Sequence, residues 1–130
     1  MGRIVSIHEY ELRPGVDPAE FERDVLRYWE AGRPRVPGLE DRWLLKGIKG
    51  HRRRRYAAVW IYRDRASWEA VWGPPHRPVE GRSYPPEWIA WEEFIGRFLD
   101  RDPDRIVFSA YEVCRRACLD GAPPGGAVVS

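Results

Sequence analysis

Apolar positions along the chain follow two different rhythms. From 3 to 12, RIVSIHEYEL, the period is two: Ile4, Ser6, His8, Tyr10 and Leu12 share one side, Arg3, Val5, Ile7 and Glu9 the other. This predicts a strand with apolar groups on both faces, broken at Arg13-Pro14-Gly15. Asp17 and Pro18 then read as the cap and first position of a helix, with Glu20 placed for a capping box. Phe21, Val25, Tyr28 and Trp29 recur at helical spacing up to the break at Gly32–Gly38. Strands are predicted at 40–49 and 56–63, joined as a hairpin through the basic run at 51–55. Asp64 caps a second helix, 65–72, with Trp68, Val71 and Trp72 on one side. The helical period returns from Pro86 to Leu99, through Trp88, Trp91, Ile95 and Phe98, and a fourth strand is predicted at 105–113.

The order β-α-β-β-α-β predicts an α+β, ferredoxin-like domain with a four-stranded antiparallel sheet. Helices cover one face of such a sheet. The apolar groups on the other face need a second cover, and in a single-domain chain a second copy supplies it. The expected assembly is a homodimer joined through the sheet face. The domain is expected over residues 1–118, with 119–130, rich in Gly, Pro and Ala, as a flexible tail.

Composition narrows the class. With 130 residues, 43% hydrophobic and 32% charged, the chain has enough apolar side chain to fold. A net charge of +2 is too balanced for the basic footprint of a nucleic-acid-binding domain. No apolar run is long enough to cross a membrane and no signal-peptide pattern opens the chain, so the expected location is cytoplasmic, with no membrane partner. Asn, Gln and Thr are missing altogether, which together with a single Met fits a thermophile source.

Chemistry is concentrated in a few side chains. The run His51–Arg55 reads as a solvated hairpin tip. Cys114 and Cys118 lack the context of a redox or zinc motif and are expected to be small buried residues. The 14 residues from Gly73 to Pro86 carry five prolines, which lower the entropy of ordering them, so they are expected to form a wall or lid. His76 in that stretch and His8 in the first strand are the candidate proton-transfer groups, since imidazole titrates near neutrality. Trp60, Trp68 and Trp72 are the candidate walls of a cavity for a small apolar or aromatic molecule. Tyr10 and Tyr84 are the candidate hydrogen-bond donors to an enolate or phenolate oxygen.

The pattern resembles the dimeric α+β barrel superfamily, which includes antibiotic-biosynthesis and haem-degrading monooxygenases, stress-responsive A/B-barrel proteins and polyketide cyclases. The likeness is carried by Tyr10–Gly15 after the first strand, Asp17-Pro18, Val36–Leu39 and Asp64–Trp68. Gly73-Pro74-Pro75-His76 resembles the His-Pro-x-His segment of the stress-responsive barrels and of a related plant cyclase. It keeps the proline and the final histidine, the cyclase's base, and replaces the first histidine by Gly73. The resemblance implies a cofactor-independent monooxygenase or cyclase acting on an aromatic or polyketide-like substrate. Its alternatives are a ligand- or haem-binding barrel with His76 as axial ligand, and a dimer filled by its own tryptophans. Trp68 or Trp72 with His76 partly resembles the haem-degrading and quinone-forming set, but that set also needs an asparagine, which this chain lacks.

Overall fold

Proline and glycine punctuation sets where the elements start and stop. The computed structural model describes residues 2–50, 55–100, 106–115 and 117. Strand β1 spans Ile4–Tyr10, helix α1 Pro18–Glu30, β2 Leu39–Lys46 and β3 Tyr56–Tyr62. Helix α2 spans Arg65–Trp72, α3 Pro86–Gly96 and β4 Val107–Glu112, with a 3-10 turn at Gly81–Ser83. The caps form where the sequence places them. Asp17 accepts from the Ala19 amide at 3.0 Å, and Asp64 from the Ser67 amide at 2.7 Å.

The four strands form one antiparallel sheet in the order β2-β3-β1-β4, and the fold is ferredoxin-like β-α-β-β-α-β. Ser6 pairs with Trp60 and Ala110, His8 with Ala58 and Phe108, and Tyr10 with Tyr56, so these side chains share one face. Helices α1 and α3 pack there and bury Phe21, Val25, Trp29, Trp88, Trp91 and Ile95 against Ala58, Trp60 and Tyr62. Full burial of side chains of this size contributes about 1.5–3 kcal/mol each and outweighs the modest helix propensity of their aromatic rings.

Two arginines finish the helices. Arg42 on β2 donates to the carbonyls of Pro34 (2.6 Å) and Trp29 (3.0 Å) at the end of α1. Arg13 donates to those of Gly96 (2.8 Å) and Leu99 (3.1 Å) at the end of α3. Each ties carbonyls of a helix's last turn and of the segment just after it; the Trp29 carbonyl also accepts from the Gly32 amide at 2.9 Å.

The opposite sheet face carries Val5, Ile7, Ala57, Val59 and Ile61. On its edge strands Trp43, Leu45, Val107 and Tyr111 remain 45–58% exposed. No described helix is long and apolar enough to cross a membrane.

Three expectations need comment. Cys114 is exposed rather than buried, because it lies beyond the last paired residue of the edge strand β4. Arg55 is exposed and ion-paired with Glu11 at 3.3 Å, whereas His51–Arg54 lie outside the described residues. So do Cys118 and the expected tail at 119–130.

Candidate functional site

A cavity of about 510 Å³ lies between the sheet and the layer formed by α2, α3 and the loop joining them. Its walls follow from local periodicity. Strand β1 contributes Ile4, Ser6, His8 and Tyr10, every second residue. Helix α2 contributes Arg65, Trp68 and Trp72, and α3 contributes Trp88, Trp91, Glu92 and Ile95, both at helical spacing. Tyr62, Phe108 and Glu112 complete it from the sheet side.

The loop closes the remaining side with Pro74, Pro75, Pro78 and Tyr84. Its path is set at Gly73, where φ is +81° and a Cβ would stand 2.6 Å from the Arg77 carbonyl oxygen. Only glycine fits there. This is the physical reason the first histidine of the His-Pro-x-His pattern has no place in this chain. The Arg77 amide then donates to Pro74 (2.9 Å) and the Val79 amide to Trp72 (2.9 Å), folding the loop back on α2. Pro74, Pro75 and Pro78 border the cavity, the last two at its exposed rim, whereas His76 is exposed and does not line it.

Of the seven expected site residues, five line the cavity: His8, Tyr10, Trp68, Trp72 and Tyr84. His76 is exposed and is not part of the wall. Trp60 is fully buried on the central strand β3, one layer behind the wall, with its ring 6.0 Å from His8 and 4.9 Å from Trp88. Strand parity identifies the face on which a side chain lies but says nothing of its depth. Ser6, Trp88, Trp91 and Phe108 join the site without having been singled out for it. Parity with His8 marks Ser6, and spacing along α3 marks the two tryptophans.

The polar groups of the wall are Ser6, His8, Tyr10 and Tyr84 together with the charged Arg65, Glu92 and Glu112. The His8 ring is flanked by Trp88 at 5.7 Å and Phe108 at 6.0 Å, and its Nε2 lies 3.2 Å from Ser6 Oγ. Burial pushes its pKa down to about 4, so the ring is neutral at pH 7. Tyr10 is 2% exposed, and its hydroxyl has no hydrogen-bond partner. Burial drives its pKa far above the usual phenol value; the nearby Trp91 side chain tempers that rise without making a hydrogen bond of acceptable geometry. Tyr84 packs edge-on to Trp72 at 5.0 Å. The one described arginine on the wall, Arg65, is engaged by Glu69 at 2.6 Å and by Glu112 at 3.7 Å.

His76, the expected axial haem ligand, stands outside the cavity, and His8 is the described imidazole on its wall. No cluster of three metal-ligating side chains occurs among the described residues.

No family model matches the chain, and no curated protein matches it. Solved structures do. A candidate antibiotic biosynthesis monooxygenase from Bordetella bronchiseptica superposes with a TM-score of 0.58 at 15% identity, over 88% of this chain and 100% of that one. A dimeric ferredoxin-like protein of unknown function from Thermobifida fusca gives 0.56 at 14% identity, over 86% and 92%. This chain shares their ferredoxin-like α+β fold. SnoaB, a cofactor-independent oxygenase from Streptomyces nogalater, matches as an asparagine-to-alanine variant with a TM-score of 0.50 at 15% identity, over 92% and 98%. Likeness at this distance fixes the architecture and leaves the chemistry to the residues.

Proposed function

We propose that this protein is a homodimeric α+β barrel that binds a flat, uncharged, oxygen-bearing aromatic or polyketide-like molecule in the cavity of each subunit. The observation that carries this reading is the Tyr10 hydroxyl, buried without a partner on a wall rich in aromatic rings. A buried polar group left unpaired costs about 1–3 kcal/mol, and an oxygen of the guest recovers that cost. Tryptophan and tyrosine faces supply the area on which a planar guest stacks. The neutral His8 and the pairing of Arg65 with Glu69 and Glu112 argue against an anionic guest. A second copy of the chain covers the apolar sheet face, and a structural neighbour is described as dimeric.

A second reading is cofactor-independent oxygenation or ring closure of the same guest. It is favoured by the placement of a titratable imidazole in the dry wall and by the likeness to SnoaB. His8, rather than His76, then holds or moves the proton, with Tyr10 and Tyr84 facing the developing oxyanion. The absence of asparagine separates this site from the oxygenase set that uses one.

The test is a titration of the intact dimer with naphthols and hydroxyanthraquinones, followed by tryptophan fluorescence. Saturable quenching at one equivalent per subunit, weakened by Trp72→Ala and unaffected by His76→Ala, is expected. No saturable quenching by any of these probes would overturn the reading.

A further inference from the structure

We propose that the cavity also takes organic cations, lodging a trialkylammonium group carried on a flat ring in the corner where the rings of Trp72, Trp88 and Tyr84 meet. The inference rests on the cavity being a binding site and extends its guests to a second charge class.

The corner is built by short local devices. Trp72 ends α2, and its carbonyl accepts from the Val79 amide at 2.9 Å, which folds the loop back onto the helix. The 3-10 turn at Gly81–Ser83 then delivers Tyr84, whose amide donates to the Gly81 carbonyl at 3.1 Å. Trp88 lies in the first turn of α3, its amide on the Pro85 carbonyl at 2.9 Å. All three side chains line the cavity. The Trp72 ring stands at 78° to Tyr84 with centroids 5.0 Å apart, and at 74° to Trp88 at 5.1 Å.

A group placed in the angle between two perpendicular rings lies over the face of at least one of them, whichever ring presents its edge. Ring faces are the negative side of the aromatic quadrupole and attract a cation. A trialkylammonium group suits such a corner because it has no N–H to satisfy and takes its attraction from ring faces. Trp88 is 4% exposed, while Trp72 and Tyr84 are half-buried, so the corner runs from the floor of the cavity toward its rim. Attraction to a ring face grows as the site is taken out of water.

The described charges of the wall favour the same guest. Burial holds His8 neutral at pH 7. Arg65 is engaged by Glu69 at 2.6 Å and by Glu112 at 3.7 Å. Glu92 and Glu112 add carboxylates to the lining. A cavity of about 510 Å³ has room for a ring system with such a headgroup, and the Tyr10 hydroxyl is left to meet an oxygen elsewhere on the guest.

The experiment is calorimetric titration of the intact protein at pH 7 with two probes of one shape. One is a naphthol carrying a trimethylammonium group, the other the same naphthol with a tert-butyl group in its place. The cation is expected to bind about fivefold tighter than its carbon isostere, or more. That preference is expected to fall to near parity in Trp72→Leu and in Tyr84→Leu, read independently, and to persist in Tyr84→Phe, which keeps the ring. Equal binding of the two probes, or tighter binding of the tert-butyl compound, would overturn the proposal and leave the cavity a site for neutral guests. A preference that survives both leucine variants would overturn it as well, since the rings would then not be its source. So would a preference erased by raising the salt concentration about tenfold, which would mark long-range attraction to the carboxylates instead. If neither probe binds, the binding reading itself fails and this inference with it.

Discussion

Replacing Tyr10 by Phe removes one oxygen atom and should make the unliganded protein more stable. The hydroxyl is 2% exposed with its residue and lacks a hydrogen-bond partner, so folding desolvates it without return. That desolvation costs about 1–3 kcal/mol, and the small gap left by the missing atom takes back part of the gain. A net stabilisation of about 1 kcal/mol raises the melting temperature of a chain this size by about 4 °C. Tyr56 provides the opposite case within the same protein. It is just as buried, but its hydroxyl donates to the Glu22 carboxylate, which also lies 3.4 Å from Lys46 Nζ. Tyr56→Phe gives up a hydrogen bond to a charged group and should lose about 1.5–3 kcal/mol. Urea titrations followed by tryptophan fluorescence measure both variants, with the midpoint moving in opposite directions and the slope unchanged. Binding should run the other way for Tyr10→Phe, with affinity for a naphthol probe falling about tenfold while stability rises. A Tyr10→Phe protein that melts several degrees below the wild type would show that the hydroxyl is paired in the folded state, and the argument from an unpartnered donor would fail.

Placing carboxylates on the uncovered sheet face, as Trp43→Glu with Leu45→Glu, should split the proposed dimer into folded monomers, read by sedimentation at micromolar concentration. A permanent interface above roughly 1,000 Å² does not tolerate buried charge at its centre. Arg42→Met keeps the aliphatic stem and removes both donors to the end of α1, so denaturant unfolding should report a loss of about 2–4 kcal/mol. The depressed pKa of His8 makes the protein acid-sensitive. An imidazole near 6.5 when unfolded and about 4 when folded contributes stability that is fully present above pH 6.5 and is lost as pH falls toward 4, about 3 kcal/mol in all. Unfolding measured across that range should show the corresponding share of the slope disappear in His8→Phe.

Much of this architecture is written locally. The alternation of residues 4–10 and the stripes of α1 and α3 survive into the structure because each depends on side chains only a few positions apart. The caps at Asp17 and Asp64 are of the same kind, since the accepting carboxylate and the donated amide lie within three residues. What the sequence hides is depth and direction. Trp60 and His8 lie on the same face of the sheet, yet only His8 reaches the cavity. The difference comes from the strand order, which puts β3 between β2 and β1 under the helices and leaves β1 beside the edge strand β4.

The two histidines show how far direction matters. An imidazole in a proline-rich loop looks like a poised base, whereas one in the middle of a strand looks like packing. Gly73 reverses that reading. Its left-handed backbone, held by the Gly73 amide on Glu69 at 2.7 Å and by the Val79 amide on Trp72, sets a path on which Pro74, Pro75 and Pro78 border the cavity and His76 is exposed. The strand histidine meanwhile sits where α2 has ended and the edge strand offers only Phe108, itself 65% exposed although it belongs to the cavity wall. From α3 only Trp88 reaches the His8 ring, edge-on at 5.7 Å, while Trp29 of α1 and Trp91 pack on Trp60 and on each other. A space walled by rings, with one imidazole, one unpartnered phenol and one hydroxyl in a row along β1, is therefore a consequence of helix placement. The chemistry of the site resides in that row of polar atoms, and it is there that substitutions should change binding while leaving the fold in place.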